Sequence, residues 1–440
     1  MNLPLSALLP TLEARLAKAR PRPIRGQVRC IRGTLVQARL ADVGIGELCR
    51  LVDPLTGRSL TAEVVGFEGE EAILSPIGSL AGLSTRTEII ASGEALQVPV
   101  GEAFLGRVIS PLGDCLDSLP PVTDAARYPL HAEPPPPLAR QLISAPLTLG
   151  IRAIDGLLGV AQGQRIGIFG EPGVGKSSLL AAIVRGTDAE VIVIGLIGER
   201  GREVRELLDS QLDAAARART VAVVATSDRP ATERVKAAAV ATAHAEYFRD
   251  QGRRVLLVVD SLTRYARAQR EIGLAVGEPP TRRGYPPSLF SALPQLLERS
   301  GPGARGSITA IYTVLTEGEA SLDPVAEEAR SILDGHIVLS AQLAQRDHFP
   351  ANDILGSRSR LMERVASAEH RQQAARLRRL LARYVEIELL LRTGDYVAGS
   401  DPLADEAIAR HAAIETFLRQ EARQHATLDD TLARLREVLA

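Results

Sequence analysis

The residue types best suited to chemistry lie together in one loop. Residues 170–177 read Gly-Glu-Pro-Gly-Val-Gly-Lys-Ser and match the phosphate-loop pattern G-x-x-x-x-G-K-[ST] in full. The apolar run Ile166 to Phe169 precedes this loop and the helical run Ser178 to Val184 follows it, which is the context that the pattern requires. The sequence therefore predicts a site that binds the phosphates of ATP.

Each group in the loop has a definite task. Glycines let backbone N–H groups close around the phosphates, and the following helix presents its N-terminus to their charge. Lys176 is predicted to reach the β and γ phosphates, and the Ser177 hydroxyl is predicted to ligate Mg²⁺. The residues predicted to bind the nucleotide here are Gly170, Gly173, Val174, Gly175, Lys176, Ser177 and Ser178.

A carboxylate at the end of a second apolar run is the candidate metal acid. The run Val255 to Val259 reads as a strand and leads directly into Asp260. P-loop ATPases place an acid near the metal at the carboxyl edge of the sheet in this way. We therefore predict that Asp260 is the Walker B acid, with a cap for the next turn as the alternative.

Hydrolysis also needs a group that orients or deprotonates water. Glu199 lies between Gly198 and the pair Arg200-Gly201, just past the apolar run Val191 to Ile197. Neighbouring glycines allow the backbone to bring this carboxylate close to the γ phosphate. Glu199 is therefore the candidate for the base or water-orienting group, and a surface salt bridge to Arg200 is the alternative.

Alternating strands and helices must position these groups. Strand-like runs separated by helical stretches predict an α/β fold in which a mostly parallel sheet is covered on both faces. The runs are Arg165 to Phe169, Val191 to Ile197, Val221 to Ala225, Val255 to Asp260 and Ser307 to Leu315.

Changes in pattern divide the chain into four segments. Residues 1–25 place leucines at helical spacing and predict an amphipathic segment that packs on protein, with a lipid surface as the alternative. In residues 26–98, short β-type runs such as Gly33 to Val36 are broken by Gly and Pro, which predicts a small β-barrel domain. Residues 99–362 form the predicted nucleotide domain, and residues 363–440 read as a helical domain.

Composition excludes several classes of protein. Of 440 residues, 45% are hydrophobic and 24% are charged, and no apolar stretch approaches the ~20 residues that a membrane span needs. The balance of 52 basic and 53 acidic side chains argues against a nucleic-acid partner. The start Met1 to Pro4 lacks the basic and apolar regions of a secretory signal, so we predict a cytoplasmic protein.

Several longer segments resemble a known family, the hexameric ATPases of type III secretion and flagellar export, which are relatives of the catalytic subunit of rotary F-type ATPases. The segments that carry the resemblance are Gly150 to Gly156, Gly198 to Glu203, Asp260 to Ala266, Gly277 to Ser288 and Ser331 to Leu339. The resemblance implies a β-barrel, a RecA-like P-loop domain and a C-terminal helical domain.

The resemblance also implies roles for individual residues. Glu199 resembles the catalytic glutamate of the family, and Arg200 resembles the neighbour that faces the γ phosphate. The segment 349–360 resembles the one that delivers an aromatic ring to the adenine and an arginine finger to the adjacent subunit, which implies these roles for Phe349 and Arg360. Arg358 is the alternative finger, and Tyr396 is a further predicted nucleotide contact.

In function, the resemblance implies a homohexamer that uses ATP hydrolysis to release chaperones from export substrates, unfold them and energise their export. It also implies stator, stalk and export-gate partners and a peripheral position at the inner membrane. A flagellar export ATPase is the nearest alternative, followed by a rotary ATPase subunit and a Rho-like RNA translocase. The last is disfavoured because Phe67 is the one aromatic residue in 26–98, too few to stack bases.

Overall fold

The computed structural model describes residues 23–316 and 323–440. Most of the amphipathic segment predicted at 1–25 lies outside these ranges. The described residues form two compact units, and the division between the units falls between Leu96 and Gln97. Across the described ranges, no helix combines the length and the apolar character needed to cross a membrane.

The first unit is built from short antiparallel strands. They are β1 (Arg25–Arg32), β2 (Leu35–Arg39), β3 (Glu47–Val52), β4 (Ser59–Glu68), β5 (Glu71–Ile77) and β6 (Glu88–Ala95). Within the described residues these strands close into a barrel in the order β1, β2, β5, β4, β3, β6. Val36, Leu51, Leu74 and Ile89 are fully buried and fill its interior. The predicted β-barrel is confirmed.

The second unit contains a mostly parallel sheet and a small antiparallel ladder. The ladder joins β7 (Gln97–Val100) to β9 (Ala126–Pro129). The strands of the sheet are β8 (Val108–Ile109), β10 (Arg165–Gly170), β11 (Val191–Ile197), β12 (Thr220–Ala225), β13 (Arg254–Asp260), β14 (Gly301–Pro302), β15 (Ser307–Leu315), β16 (Gly335–Leu339) and β17 (Asn352–Ser359).

The order of the sheet puts the phosphate loop near its centre. The main path runs β17, β16, β10, β15, β13, β11, β12, β8, and β14 pairs with β15. Pairings with β14 and β17 are antiparallel, and the others are parallel. Every residue of β11 is buried, as expected for a strand covered on both faces. The predicted α/β class is confirmed.

Helices cover the sheet and continue beyond it. They are α1 (Arg152–Leu157), α2 (Lys176–Gly186), α3 (Gly201–Arg205), α4 (Ala214–Ala218), α5 (Ala231–Asp250), α6 (Leu262–Val276), α7 (Pro287–Glu298), α8 (Pro324–Ile332), α9 (Ala341–Gln345), α10 (Met362–Val365), α11 (Ala368–Thr393), α12 (Pro402–Leu418) and α13 (Leu428–Leu439). The last three form the predicted helical region, and their leucines pack with Ala153 and Leu157 of α1 in one apolar cluster.

Arg152 of α1 joins the helical region to the nucleotide-binding part of the unit. Its Nε donates to Phe417 O at 3.2 Å and its Nη2 donates to Arg419 O, so the guanidinium covers carbonyls at the C-terminal end of α12. Cations are favourable at this end of a helix. The backbone N–H of Arg152 donates to Gln420 Oε1 at 2.9 Å, which fixes the same junction a second time.

Candidate nucleotide-binding site

The phosphate loop begins where β10 ends and closes where α2 begins. Gly173 and Gly175 have φ angles of 86° and 87°, a left-handed conformation that glycine adopts without strain. Gly175 directly precedes the first residue of α2, so the loop delivers backbone N–H groups to the N-terminus of a helix. Such a terminus binds phosphate through its orphan donors and its dipole.

Lys176 meets the requirements for holding phosphate oxygens. Its Nζ is buried and has no hydrogen-bond partner in the described chain. Burial lowers the pKa of Lys176, while the charges of Asp260 and Glu199 oppose that change. A buried ammonium without a hydrogen-bonded partner is unfavourable. Phosphate oxygens supply the negative charge and the hydrogen-bond acceptors that Lys176 Nζ needs. The donor set therefore fits a nucleotide.

Asp260 ends β13, two strands from β10 on the same edge of the sheet. The carboxylate is 4% exposed and accepts a hydrogen bond from the Thr313 hydroxyl of β15. The cap of α6 is the next residue, Ser261, whose side chain accepts from the backbone of Arg264 at 3.3 Å. Capping is thus done by Ser261, and the alternative interpretation of Asp260 as a cap is wrong.

Glu199 faces the same edge from the end of β11. Burial, and next the charge of Asp260, raise the pKa of Glu199 to about 7. Arg264 opposes this rise, because its Nε lies 2.9 Å from Glu199 Oε1. Two carboxylates near one buried lysine give the arrangement needed for a metal acid and a base with a pKa near neutrality.

Glu199 is paired with Arg264 and not with its neighbour Arg200. Arg200 is 74% exposed and lies 3.5 Å from Glu203, not against Glu199. The alternative prediction, a surface salt bridge between Glu199 and Arg200, is therefore wrong. The position of Arg200 towards a γ phosphate stays a prediction.

Arg264 is a site residue that sequence reasoning missed. Its Nη1 donates to Gly198 O at 2.6 Å and its Nη2 donates to Glu199 Oε2 at 3.3 Å. One guanidinium therefore holds both the carboxylate and the backbone that carries it. Arg264 lies on the first turn of α6, four residues after Asp260. Its closeness in sequence to an acid at the end of a strand could have indicated that it belongs to the site.

Phe349 lies against the phosphate loop although it is remote in sequence. A Cβ added to Gly175 would lie 3.1 Å from Cε1 of the Phe349 ring, which is closer than side chains normally approach. The ring is 40% exposed, so one part contacts the loop and another remains accessible. The structure thus brings the predicted adenine-binding aromatic to the predicted phosphate site.

Replacing Phe349 by Ala should raise the KM for ATP about tenfold with a smaller effect on kcat, because a stacked base contributes ~1–3 kcal/mol. Steady-state kinetics checks this expectation. Phe67→Ala is a matched control, since Phe67 is 46% exposed in the barrel unit. An unchanged KM for ATP in Phe349→Ala would show that the adenine ring binds elsewhere.

The remaining predicted residues lie farther along the chain. Arg360 is exposed, and its Nη2 donates weakly to Arg330 O at 3.4 Å. Arg358, also exposed, lies opposite His336 in the pairing of β16 with β17. The Tyr396 hydroxyl donates to Asp405 at 2.9 Å, a contact with α12. The roles of these residues stay predictions.

A phosphate loop and acids from neighbouring parallel strands, all at one sheet edge, are the arrangement of a RecA-like P-loop nucleotide hydrolase. Family models match in three places. Residues 150–359 match the nucleotide-binding domain of the ATP synthase alpha/beta family, and residues 28–93 match the β-barrel domain of that family. Residues 366–437 match the EscN ATPase C-terminal domain of type 3 secretion systems.

Individual proteins narrow the class further. A type 3 secretion system ATPase from Sinorhizobium fredii is 52% identical over 98% of this chain and 95% of its own length. The assembled ATPase EscN from the type III secretion system of enteropathogenic E. coli is 48% identical, with a TM-score of 0.90 over 94% of this chain and 100% of EscN. EscN in complex with its central stalk EscO matches with 47% identity, a TM-score of 0.87 and the same coverage. The chain belongs to the family of type 3 secretion system ATPases.

Proposed function

We propose that this ATPase acts as a homohexamer at the cytoplasmic mouth of a type III secretion apparatus. There, ATP hydrolysis releases chaperones from export substrates, unfolds the substrates and energises their export. The observation that carries the hydrolytic part is the cluster of Lys176, Glu199 and Asp260 at one edge of the sheet. Family membership supports the secretion part.

The phosphate loop binds and orients the triphosphate. Backbone N–H groups from Gly173 to Lys176 surround the phosphates, and Lys176 neutralises charge on the β and γ groups. The Ser177 hydroxyl and Asp260 would hold Mg²⁺, which supplies charge neutralisation to the β and γ oxygens when it is bound. Phe349 covers the adenine.

Glu199 then activates water for attack on the γ phosphate. Its carboxylate orients the water and accepts its proton, a task for which a pKa of about 7 is well suited. Arg264 fixes the direction of this carboxylate through both of its oxygens. This pairing holds the base in a fixed position for the attack on the γ phosphate.

Neighbouring copies complete the site. An exposed arginine inserted across an interface neutralises charge that develops on the transferred phosphoryl group, and it makes hydrolysis depend on assembly. Arg360 takes this role in the proposal. The EscN complex with a central stalk supports a stalk partner for this chain as well. Stator and export-gate proteins, chaperone–substrate complexes and the inner membrane surface complete the proposed surroundings, and no nucleic acid is involved.

Genetic complementation tests the proposal. In the source bacterium, deletion of the gene should abolish export of type III substrates, and the wild-type gene should restore it while Lys176→Ala should not. Swimming motility should be unaffected. Lost motility with intact type III secretion would instead assign the ATPase to flagellar export.

A further inference from the structure

Thr313 is a buried hydroxyl in the strand that separates the phosphate loop from the metal acid. It belongs to β15, which lies between β10 and β13 in the sheet. Its Cα partner on one side is Ile168, and on the other side Tyr312 pairs with Val259, so Thr313 is level with Asp260. Its exposed fraction is 0%, so water does not reach the side chain.

The hydroxyl has one proton to donate and a charged acceptor beside it. Its Oγ1 donates to Asp260 Oδ1, while Val259 O lies farther away, at 3.5 Å. A hydrogen bond to an ionised group is stronger than one to a neutral carbonyl. The proton therefore belongs to the Asp260 bond. A valine at position 313 would fill the same volume but leave that carboxylate oxygen without its donor.

A second threonine makes the position of Thr313 rigid. Thr263, in the first turn of α6, accepts from the backbone N–H of Leu315 at 2.8 Å and fixes the carboxyl end of β15 to that helix. Asp260 and Thr313 are thus held by two adjacent strands and one shared helix. A carboxylate fixed through one oxygen keeps its other oxygen directed at a ligand without further loss of side-chain freedom.

We infer that Thr313 is a positioning residue that orients Asp260 for magnesium. This inference rests on the metal role proposed for Asp260. Thr313 itself touches neither substrate nor metal; it acts through the carboxylate. Its removal should weaken the contribution of Mg²⁺ to nucleotide binding and leave metal-free binding unchanged.

Nucleotide binding with and without metal measures this contribution directly. The affinity of a fluorescent, non-hydrolysable ATP analogue is determined in Mg²⁺ and in EDTA. The quantity compared among variants is the Kd in EDTA divided by the Kd in Mg²⁺, which is large when the metal strengthens binding. Thr313→Val should lower the ratio about tenfold or more, as expected when a hydrogen bond to a charged group is lost. Thr313→Ser, which restores the hydroxyl, should retain the wild-type ratio.

The same strand provides a matched control. Thr309 is 1% exposed and lies four residues earlier on β15, so its side chain is on the same face but at the other end. Its Oγ1 accepts from the backbone of Gly163 at 2.8 Å, away from the metal acid. Thr309→Val should therefore keep the wild-type ratio, although it removes the same buried hydroxyl.

Asp260→Asn separates failure of the inference from failure of the proposed metal role. A lost ratio in Asp260→Asn together with an intact ratio in Thr313→Val would overturn the positioning role of Thr313 alone. An intact ratio in Asp260→Asn would remove the metal role of Asp260 and the inference with it. If Thr313→Val does not fold, as judged by its melting curve, Thr313→Cys provides the same comparison, because a thiol is a weak donor of similar size.

Discussion

Replacement of Glu199 by Gln is expected to lower kcat by about 10²–10⁴-fold, the usual contribution of a positioned general base. The amide has the same shape but cannot accept a proton from water. Affinity for ATP should change little, because the phosphate loop is intact. Single-turnover hydrolysis with saturating ATP measures the effect. Glu206→Gln is the matched control, since Glu206 is an exposed acid paired with Arg202 at 3.4 Å and lies outside the site.

The acidity of Glu199 adds a pH dependence to this expectation. Its pKa is raised from 4.5 to about 7, first by burial and then by the charge of Asp260. Because the ionised form is the base, the wild-type rate should fall as the pH is lowered through about 7. A rate that is flat between pH 6 and pH 8 would contradict the assignment.

The stability of the protein should depend on pH in the opposite direction to the rate of hydrolysis. A raised carboxyl pKa means that the folded state favours the neutral form, so this stabilisation is fully present below 4.5 and is lost as the pH rises through about 7. Glu199→Gln is neutral at every pH and escapes this loss. We therefore expect the variant to melt at a higher temperature than wild type at pH 8, with a smaller difference at pH 4.

Local patterns were sufficient to predict the sheet and its loop. Val191 to Ile197 and Ser307 to Leu315 are strands with the predicted limits, because runs rich in apolar and β-branched residues suit strands that are covered on both faces. Elsewhere local pattern was misleading. Gly33 was predicted to lie in a strand, but its φ of 58° places it in a turn and β2 begins at Leu35.

Contacts between distant segments could not be predicted from pattern. The ladder strand Ala126–Pro129 is short and contains proline, and it forms because β7 offers it a partner. Glu199 and Arg264 are brought together by adjacent parallel strands whose order no periodicity encodes. The contact of Phe349 with Gly175 joins two loops, so its prediction depended on a family resemblance rather than on residue spacing.

Arg360→Ala is expected to lower the rate of the assembled enzyme about 10³–10⁵-fold, the usual effect of removing an arginine finger. Its exposure and its weak bond to Arg330 O leave the guanidinium available to a second copy of the chain. Arg358→Ala is the internal comparison, because Arg358 is equally basic, exposed and two residues away. If Arg358 is the finger instead, the two effects will be exchanged.

Mixing two inactive variants shows whether the arginine acts across an interface. In an equal mixture of Glu199→Gln and Arg360→Ala, random assembly should pair an intact Glu199 with a neighbour's intact Arg360 at roughly one quarter of the sites, because each contact between copies is head-to-tail. Hydrolysis should therefore return to roughly a quarter of the wild-type rate where sites act independently. Wild-type specific activity should also rise with protein concentration. A mixture that stays inactive, or an Arg360→Ala variant with full activity, would place the finger elsewhere and separate hydrolysis from assembly.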